Sequence, residues 1–180
     1  ELGKLLRFES SKSEEGKPIS LTEYVGRMNP DQKEIYYING PSRSAIESGP
    51  YIELFRKNDI EIIYTMEPID DFVLNHLGEF EEKKLVSADR ADLSLPQNAD
   101  AADDGNVEEL DKDVEKGLLD WLKKALEENV ADVIASKRLV DSPAVIVNPD
   151  GNMTSSMERV IALSRHEKGM LAEKTKKNLE

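Results

Sequence analysis

An acidic pair, Asp70-Asp71, follows a run of β-branched and aromatic residues, Ile60 to Tyr64. Adjacent carboxylates at a strand end can hold Mg²⁺ in a phospho-acceptor site, the chemistry of a receiver domain. That site also needs an acceptor Asp at another strand end and a Lys at the end of a later strand. The segment after Ile38 offers Asn39-Gly40 instead of Asp, and Lys83 and Lys84 begin their strand rather than end it. A phospho-receiver-like signalling domain using Asp70 and Asp71 is therefore the alternative reading. A carboxylate-pair hydrolase is open to any acidic chain, but nothing here positions the second carboxylate. The patterns G-x-x-x-x-G-K-[ST], G-x-G-x-x-G and G-x-S-x-G are absent. With no cysteine, thiolate metal sites and disulfides are excluded. His76 and His166 fall on different predicted helices, which disfavours zinc.

Two apolar groups remain that can act by contact instead of by reaction. Asp71 and Asn75 are four residues apart and share a helical face, with Phe72 beside them. Phe72 either tucks under a neighbouring element or offers a small amphipathic surface to another protein. Met153, Met157, Val160 and Ile161 line one side of a later helix. Methionines at i and i+4 make a soft, adaptable surface, although such a stripe is usually core.

The elements that position these residues follow from local pattern. Leu2, Leu5, Leu6 and Phe8 read as the last turns of a helix. Ser20 and Glu23 form a capping box that opens a helix over Leu21, Tyr24, Val25 and Met28. Glu34 to Ile38 is a strand, and Asn39-Gly40-Pro41 a turn. Ser44 and Glu47 repeat the capping spacing, and Pro50 must bend or restart that helix. Ile60 to Tyr64 is the next strand, and Asp70 is placed to cap the helix after Pro68. In that helix Ile69, Val73, Leu77 and Phe80 recur at helical spacing and are expected to face inward. Lys83 to Ser87 is a third strand. Strands separated by helices pair in parallel, so residues 1–95 are expected to form a small three-layer α/β/α unit.

Residues 96–106, rich in Ala, Asp and Asn, read as a linker. Residues 107–180 are expected to form an α+β unit with a long helix, short strands and an amphipathic helix. Asn106 and Glu109 are spaced to cap the long helix, whose Leu110, Val114, Leu118, Leu122 and Leu126 run i, i+4, with Trp121 at a packing seam. Val133 to Leu139 and Ala144 to Val147 are expected to pair antiparallel. The polar tail beyond Gly169 has little of its own to bury. The overall fold class is α/β.

The formal net charge of −13 argues against nucleic-acid or anionic-membrane partners, and no apolar run reaches spanning length. Neither end carries start or stop signals, so the chain is expected to be a piece of a longer one.

Several long segments resemble the heat-shock protein 90 family of molecular chaperones. They are L-L-R-F before a Ser/Lys loop, S-L-x-E-Y-V-x-R-M (Ser20 to Met28), I-Y-Y-I-x-G (Ile35 to Gly40) and P-Y-I-E (Pro50 to Glu53). They continue with E-P-I-D-D (Glu67 to Asp71), E-F-x-x-K-x-L-V-S (Glu79 to Ser87), S-x-R-L-x-D-S-P-A (Ser136 to Ala144) and M-x-R (Met157 to Arg159). The resemblance implies that residues 1–95 are the smaller α/β/α part of the middle domain. It makes 96–106 a linker and 107–180 the start of the C-terminal dimerisation domain. It implies an ATP- and Mg-dependent, homodimeric chaperone of the stress response, with the nucleotide domain upstream and the dimer helices downstream. This stretch then carries no cofactor and no catalytic residue. The compact turns imply a bacterial or organellar branch, hence a cytoplasmic location, or a mitochondrial or plastid one. In bacterial members a client-contacting patch follows I-D-E-W-x-x-N, matched here by Asp71, Phe72 and Asn75, with Asp for Glu and Phe for Trp. A second patch on an M-x-x-x-M helix is matched by Met153, Met157, Val160 and Ile161. The partners implied are partly folded client proteins.

Overall fold

The computed structural model describes residues 2–90, 93, 95, 110–136, 138–148, 154–167 and 176–179. A short 3-10 turn, Leu2–Leu5, leads into β1 (Arg7–Ser10), so Phe8 lies in a strand and not in the helix its Leu neighbours suggest. β2 (Ile19–Ser20) runs into α1 (Leu21–Arg27). There Ser20 and Glu23 close the expected capping box, each side chain accepting from the other's backbone N–H. β3 (Glu34–Asn39) is followed by α2 (Arg43–Glu47), a 3-10 turn at Pro50–Ile52 and α3 (Glu53–Lys57). The cap of α2 is Ser42, which accepts from the Ala45 amide; the Ser44/Glu47 spacing was a coincidence. Pro50 restarts the helical path as expected.

β4 (Ile63–Thr65), α4 (Pro68–Leu77), β5 (Glu79–Phe80) and β6 (Lys83–Ser87) complete a six-stranded sheet of order β2-β1-β4-β3-β6-β5. The three strands expected near Tyr36, Ile63 and Val86 pair in parallel at its centre, as β4-β3-β6. The antiparallel strands β1, β2 and β5 were not expected. Alternation along β3 sends Ile35 and Tyr37 to one face and Tyr36 and Ile38 to the other. The first face packs with Leu21 and Tyr24 of α1 and Leu74 of α4; the second with Ile46, Ile52 and Phe55. This is the three-layer α/β/α arrangement. Gly40 is required where it stands, because a Cβ there would lie 2.5 Å from Ile46 Cγ1.

The later part holds α5 (Lys112–Ala125), β7 (Val130–Val133), β8 (Ile146–Val147), α6 (Ser155–Glu167) and β9 (Lys177–Leu179). Asp111 caps α5; the expected Asn106 and Glu109, like the whole 96–106 linker, lie outside the described residues. The leucine stripe of α5 packs poorly: none of its residues is buried, and Trp121 is 64% exposed instead of sitting in a seam. The strand expected over Val133 to Leu139 lies earlier, at Val130–Val133, β8 keeps only Ile146 and Val147 of Ala144 to Val147, and the two do not pair with each other. β9 lies between them, parallel to β7 and antiparallel to β8, so the polar tail supplies the central strand of this sheet. No helix among the described residues is long and apolar enough to cross a membrane.

Candidate functional site

α4 begins where Glu67 accepts from the amide of Asp70 and Asp70 accepts from the amide of Glu67, with Pro68 at the first helical position. Glu67 is thus the cap, and Asp70 its reciprocal partner one turn on. The helix is rotated from the expected phase. Asp71 (0% exposed) and Leu74 face the sheet, whereas Ile69 (64%) and Val73 (38%) face out. Phe72 is half-buried, and Asn75 and His76 are exposed.

The rotation has a cause in the later part of the chain. The Thr154 hydroxyl donates to Asp71 Oδ2, and Thr154 Oγ1 also accepts from the Met157 amide at 3.2 Å. A carboxylate can lie inside when a hydroxyl from another element meets it. Among the described residues no donor comes within hydrogen-bond geometry of its second oxygen, Oδ1, which is buried. Burial pushes the Asp71 carboxyl up to about 6, against the lowering effect of the Thr154 bond, with the Asp89 and Asp70 charges adding to the rise.

Around it lies a polar seam between the two sheets. The Asp89 carboxylate accepts from Ser87 Oγ (2.7 Å), Asn148 Nδ2 (2.8 Å) and the Ser155 amide (2.8 Å). Arg138 donates to the carbonyls of Ala88 (2.7 Å) and Arg90 (2.9 Å), and Arg90 bridges in parallel to Asn148. Glu53 accepts from the amides of Val140 (2.9 Å), Asp141 (3.0 Å) and Ser142 (3.3 Å), and from the Ser142 hydroxyl. Burial raises the Glu53 carboxyl, but the Ser142 hydroxyl and the three amides outweigh it and hold it down at about 2.

With α4 and α6 packed together, a groove of about 910 Å³ opens beside them. Leu2, Gly3, Leu5 and Leu6 form one wall. Phe72, Val73, Asn75, His76 and Leu77 of α4 form another, and Met157 and Ile161 of α6 complete it. Its size suits several apolar side chains of a bound segment.

The structure thus brings Phe72, Asn75, Met157 and Ile161 together around one groove instead of two separate patches. Three expectations change. Asp71 is sealed behind the groove and cannot touch a ligand there. Met157 is only 5% exposed, so the methionine face is not open at this residue; Val160 and Ile161 are half-buried. Val160 does not line the groove, and Met153 lies outside the described residues. Sequence reasoning missed Leu2, Leu5, Leu6, Val73 and Leu77. The signal is present in three leucines among the first six residues, which pattern as the last turns of a helix, and in the Val73-Leu77 pair, which patterns as the buried face of α4.

The receiver reading is overturned. Asp70 is spent on its own helix end, and Asp71 is buried under Thr154. Among the described residues no group of three or more His, Cys, Asp or Glu side chains could hold a metal.

The sequence matches the family model described as Hsp90 protein over residues 1–180. It is 61% identical over 183 residues to "Chaperone protein HtpG" of Desulfotalea psychrophila, covering 100% of this chain and 29% of the relative. It is 49% identical over 163 residues to the protein of the same name in Desulfitobacterium hafniense, covering 91% and 26%. It is 38% identical over 161 residues to "Endoplasmin homolog" of Hordeum vulgare, covering 89% and 19%. The chain spans less than a third of the length of each of these relatives.

Proposed function

This chain belongs to the Hsp90 protein family, and from that premise we propose that it is the client-holding stretch of an ATP-dependent chaperone. On this reading residues 1–95 are the end of the middle domain, 96–106 a linker and 107–180 the start of the C-terminal domain. The nucleotide-dependent chemistry, with ATP and Mg, belongs upstream, and homodimerisation downstream. The stretch itself has no cofactor and no catalytic residue, and the intact protein works in the cytoplasm.

The observation that carries the reading is the composition of the groove. Phe72 and Asn75 from one part of the chain meet Met157 and Ile161 from the other across a mostly apolar space. A chaperone must accept many partly folded chains, and a broad apolar surface with a few amide or imidazole groups meets that need. The net charge of −13 keeps such a surface soluble. A hinge between the two parts is supported by their seam, which is largely hydrogen-bonded and so can part and re-form more readily than an apolar one.

The test is capture of a chemically unfolded model protein by the chain and by its Phe72→Ala and Ile161→Ala variants. Both variants are expected to bind it several-fold more weakly while keeping the wild-type unfolding midpoint within a few degrees. Unchanged capture by both would remove the groove from the function.

A further inference from the structure

The groove is walled by α4 and the N-terminal turn on one side and by α6, far away in sequence, on the other, so something must set their register. We propose that the first turn of α6, gripped by Asp71 and Asp89, is the device that assembles the groove, and that Thr154 is its positioning residue. This rests on the groove reading above, but it assigns a role to residues that touch no ligand.

The argument begins with the hydroxyl of Thr154. It has one proton and two lone pairs. The proton goes to Asp71 Oδ2, and the oxygen accepts the Met157 amide. The same atom therefore closes the first turn of α6 and ties that turn to α4. The next residue is tied as well, because the Ser155 amide donates to Asp89 Oδ2 at 2.8 Å. Two carboxylates from the first sheet's unit thus hold two successive residues at the helix start. Negative charge there also suits the helix dipole.

Two neighbouring anchor points fix the rotation of a helix about its own axis as well as its position. Thr154, Met157 and Ile161 are spaced i, i+3, i+7 and lie on one stripe. Fixing Thr154 against Asp71 therefore aims Met157 and Ile161 at α4, where Phe72 follows Asp71 directly. Were α6 to turn by one residue, about 100°, Ile161 would leave the groove and Ala162 or Val160 would take its place. Neither of those lines the groove now.

The anchor is polar and small, so it can release without unfolding either sheet. Its loss lowers the fraction of molecules with an assembled groove, and apparent affinity falls by that fraction.

The experiment compares Thr154→Val, which keeps the shape and removes the hydroxyl, with Thr154→Ser, which keeps the hydroxyl. The chain has no cysteine, so Ile69→Cys with Arg159→Cys, both exposed and outside the groove, gives a clean spin-label pair, one label on α4 and one on α6. The groove is read by the fluorescence of the neutral apolar dye N-phenyl-1-naphthylamine. We expect Thr154→Val to broaden the label distance distribution and weaken dye binding about tenfold, as for a docked fraction near one in ten. Thr154→Ser is expected to restore both. A Thr154→Val chain with wild-type distances or wild-type dye binding would overturn the anchor, and so would failure of Thr154→Ser to restore them. The groove reading fails separately, if Phe72→Ala and Ile161→Ala leave dye binding unchanged while the distances still respond to Thr154.

Discussion

Asp71→Asn offers a quantitative check on why a carboxylate sits at the centre of the seam. The side chain is fully buried, one oxygen meets the Thr154 hydroxyl, and among the described residues the other meets no donor of good geometry. Its carboxyl is pushed from 3.8 up to about 6. A raised carboxyl means that the folded state binds the proton more tightly than the unfolded state. The penalty is therefore absent below 3.8, grows as pH rises, and is complete above 6. A rise of about two pH units at about 1.4 kcal/mol each gives about 3 kcal/mol at neutral pH. The asparagine oxygen can still accept from Thr154, and the variant has no charge to bury. Its own buried amide protons offset part of the gain, but that offset does not vary with pH. The difference in unfolding free energy, variant minus wild type, should thus climb by about 2.5 kcal/mol between pH 4 and pH 7.5. Urea unfolding at half-unit steps measures it. A difference that stays flat, or falls with pH, would mean that Asp71 is not held against its charge, and the account of the seam would be wrong.

Glu53→Ala should release the Val140–Ser142 loop, seen as loss of amide-exchange protection at Val140, Asp141 and Ser142 with the six-stranded sheet still protected. Because the Glu53 carboxyl is held down at about 2, its contribution is complete above 4.5. It should fade as pH falls from there toward 2, opposite in sign to Asp71. In the β5–β6 hairpin both turn residues, Glu81 (φ 47°) and Glu82 (φ 63°), are left-handed. That backbone costs a side chain roughly 1 kcal/mol per residue, so Glu81→Asn with Glu82→Gly should raise the melting midpoint by a few degrees.

What the sequence disclosed was local. Ser20 and Glu23 lie three residues apart and satisfy each other, so the start of α1 was legible. The β3 strand was legible from Ile35-Tyr36-Tyr37-Ile38 alone, since residues so apolar on both faces demand a layer on each. The parallel core followed from the alternation of elements. The errors share one origin, a distant partner. Phe8 is in a strand because β4 and β2 flank it, and nothing in Leu2 to Leu6 says so. The inner face of α4 was assigned to Ile69 and Val73 by apolarity, yet Asp71 took it because Thr154, more than eighty residues later, supplies a donor. The groove inherited that error. Its residues were mostly named, but their meeting in one place was not foreseeable, and Asp71 was placed on the wrong side of the helix. The Ser44/Glu47 spacing shows the converse, a matching local pattern that caps nothing because Ser42, two residues earlier, is the cap.

The placement of β9 bears on how the chain matures during synthesis. Every strand of the larger sheet has left the ribosome once residue 87 is out, so that layer can consolidate early. The smaller sheet has no such freedom, because β7 and β8 wait, unmatched, for Lys177–Leu179 to slot between them. A nascent chain paused between Val147 and Lys177 would expose two unpaired strand edges, and would itself need the kind of shelter that this family gives to others.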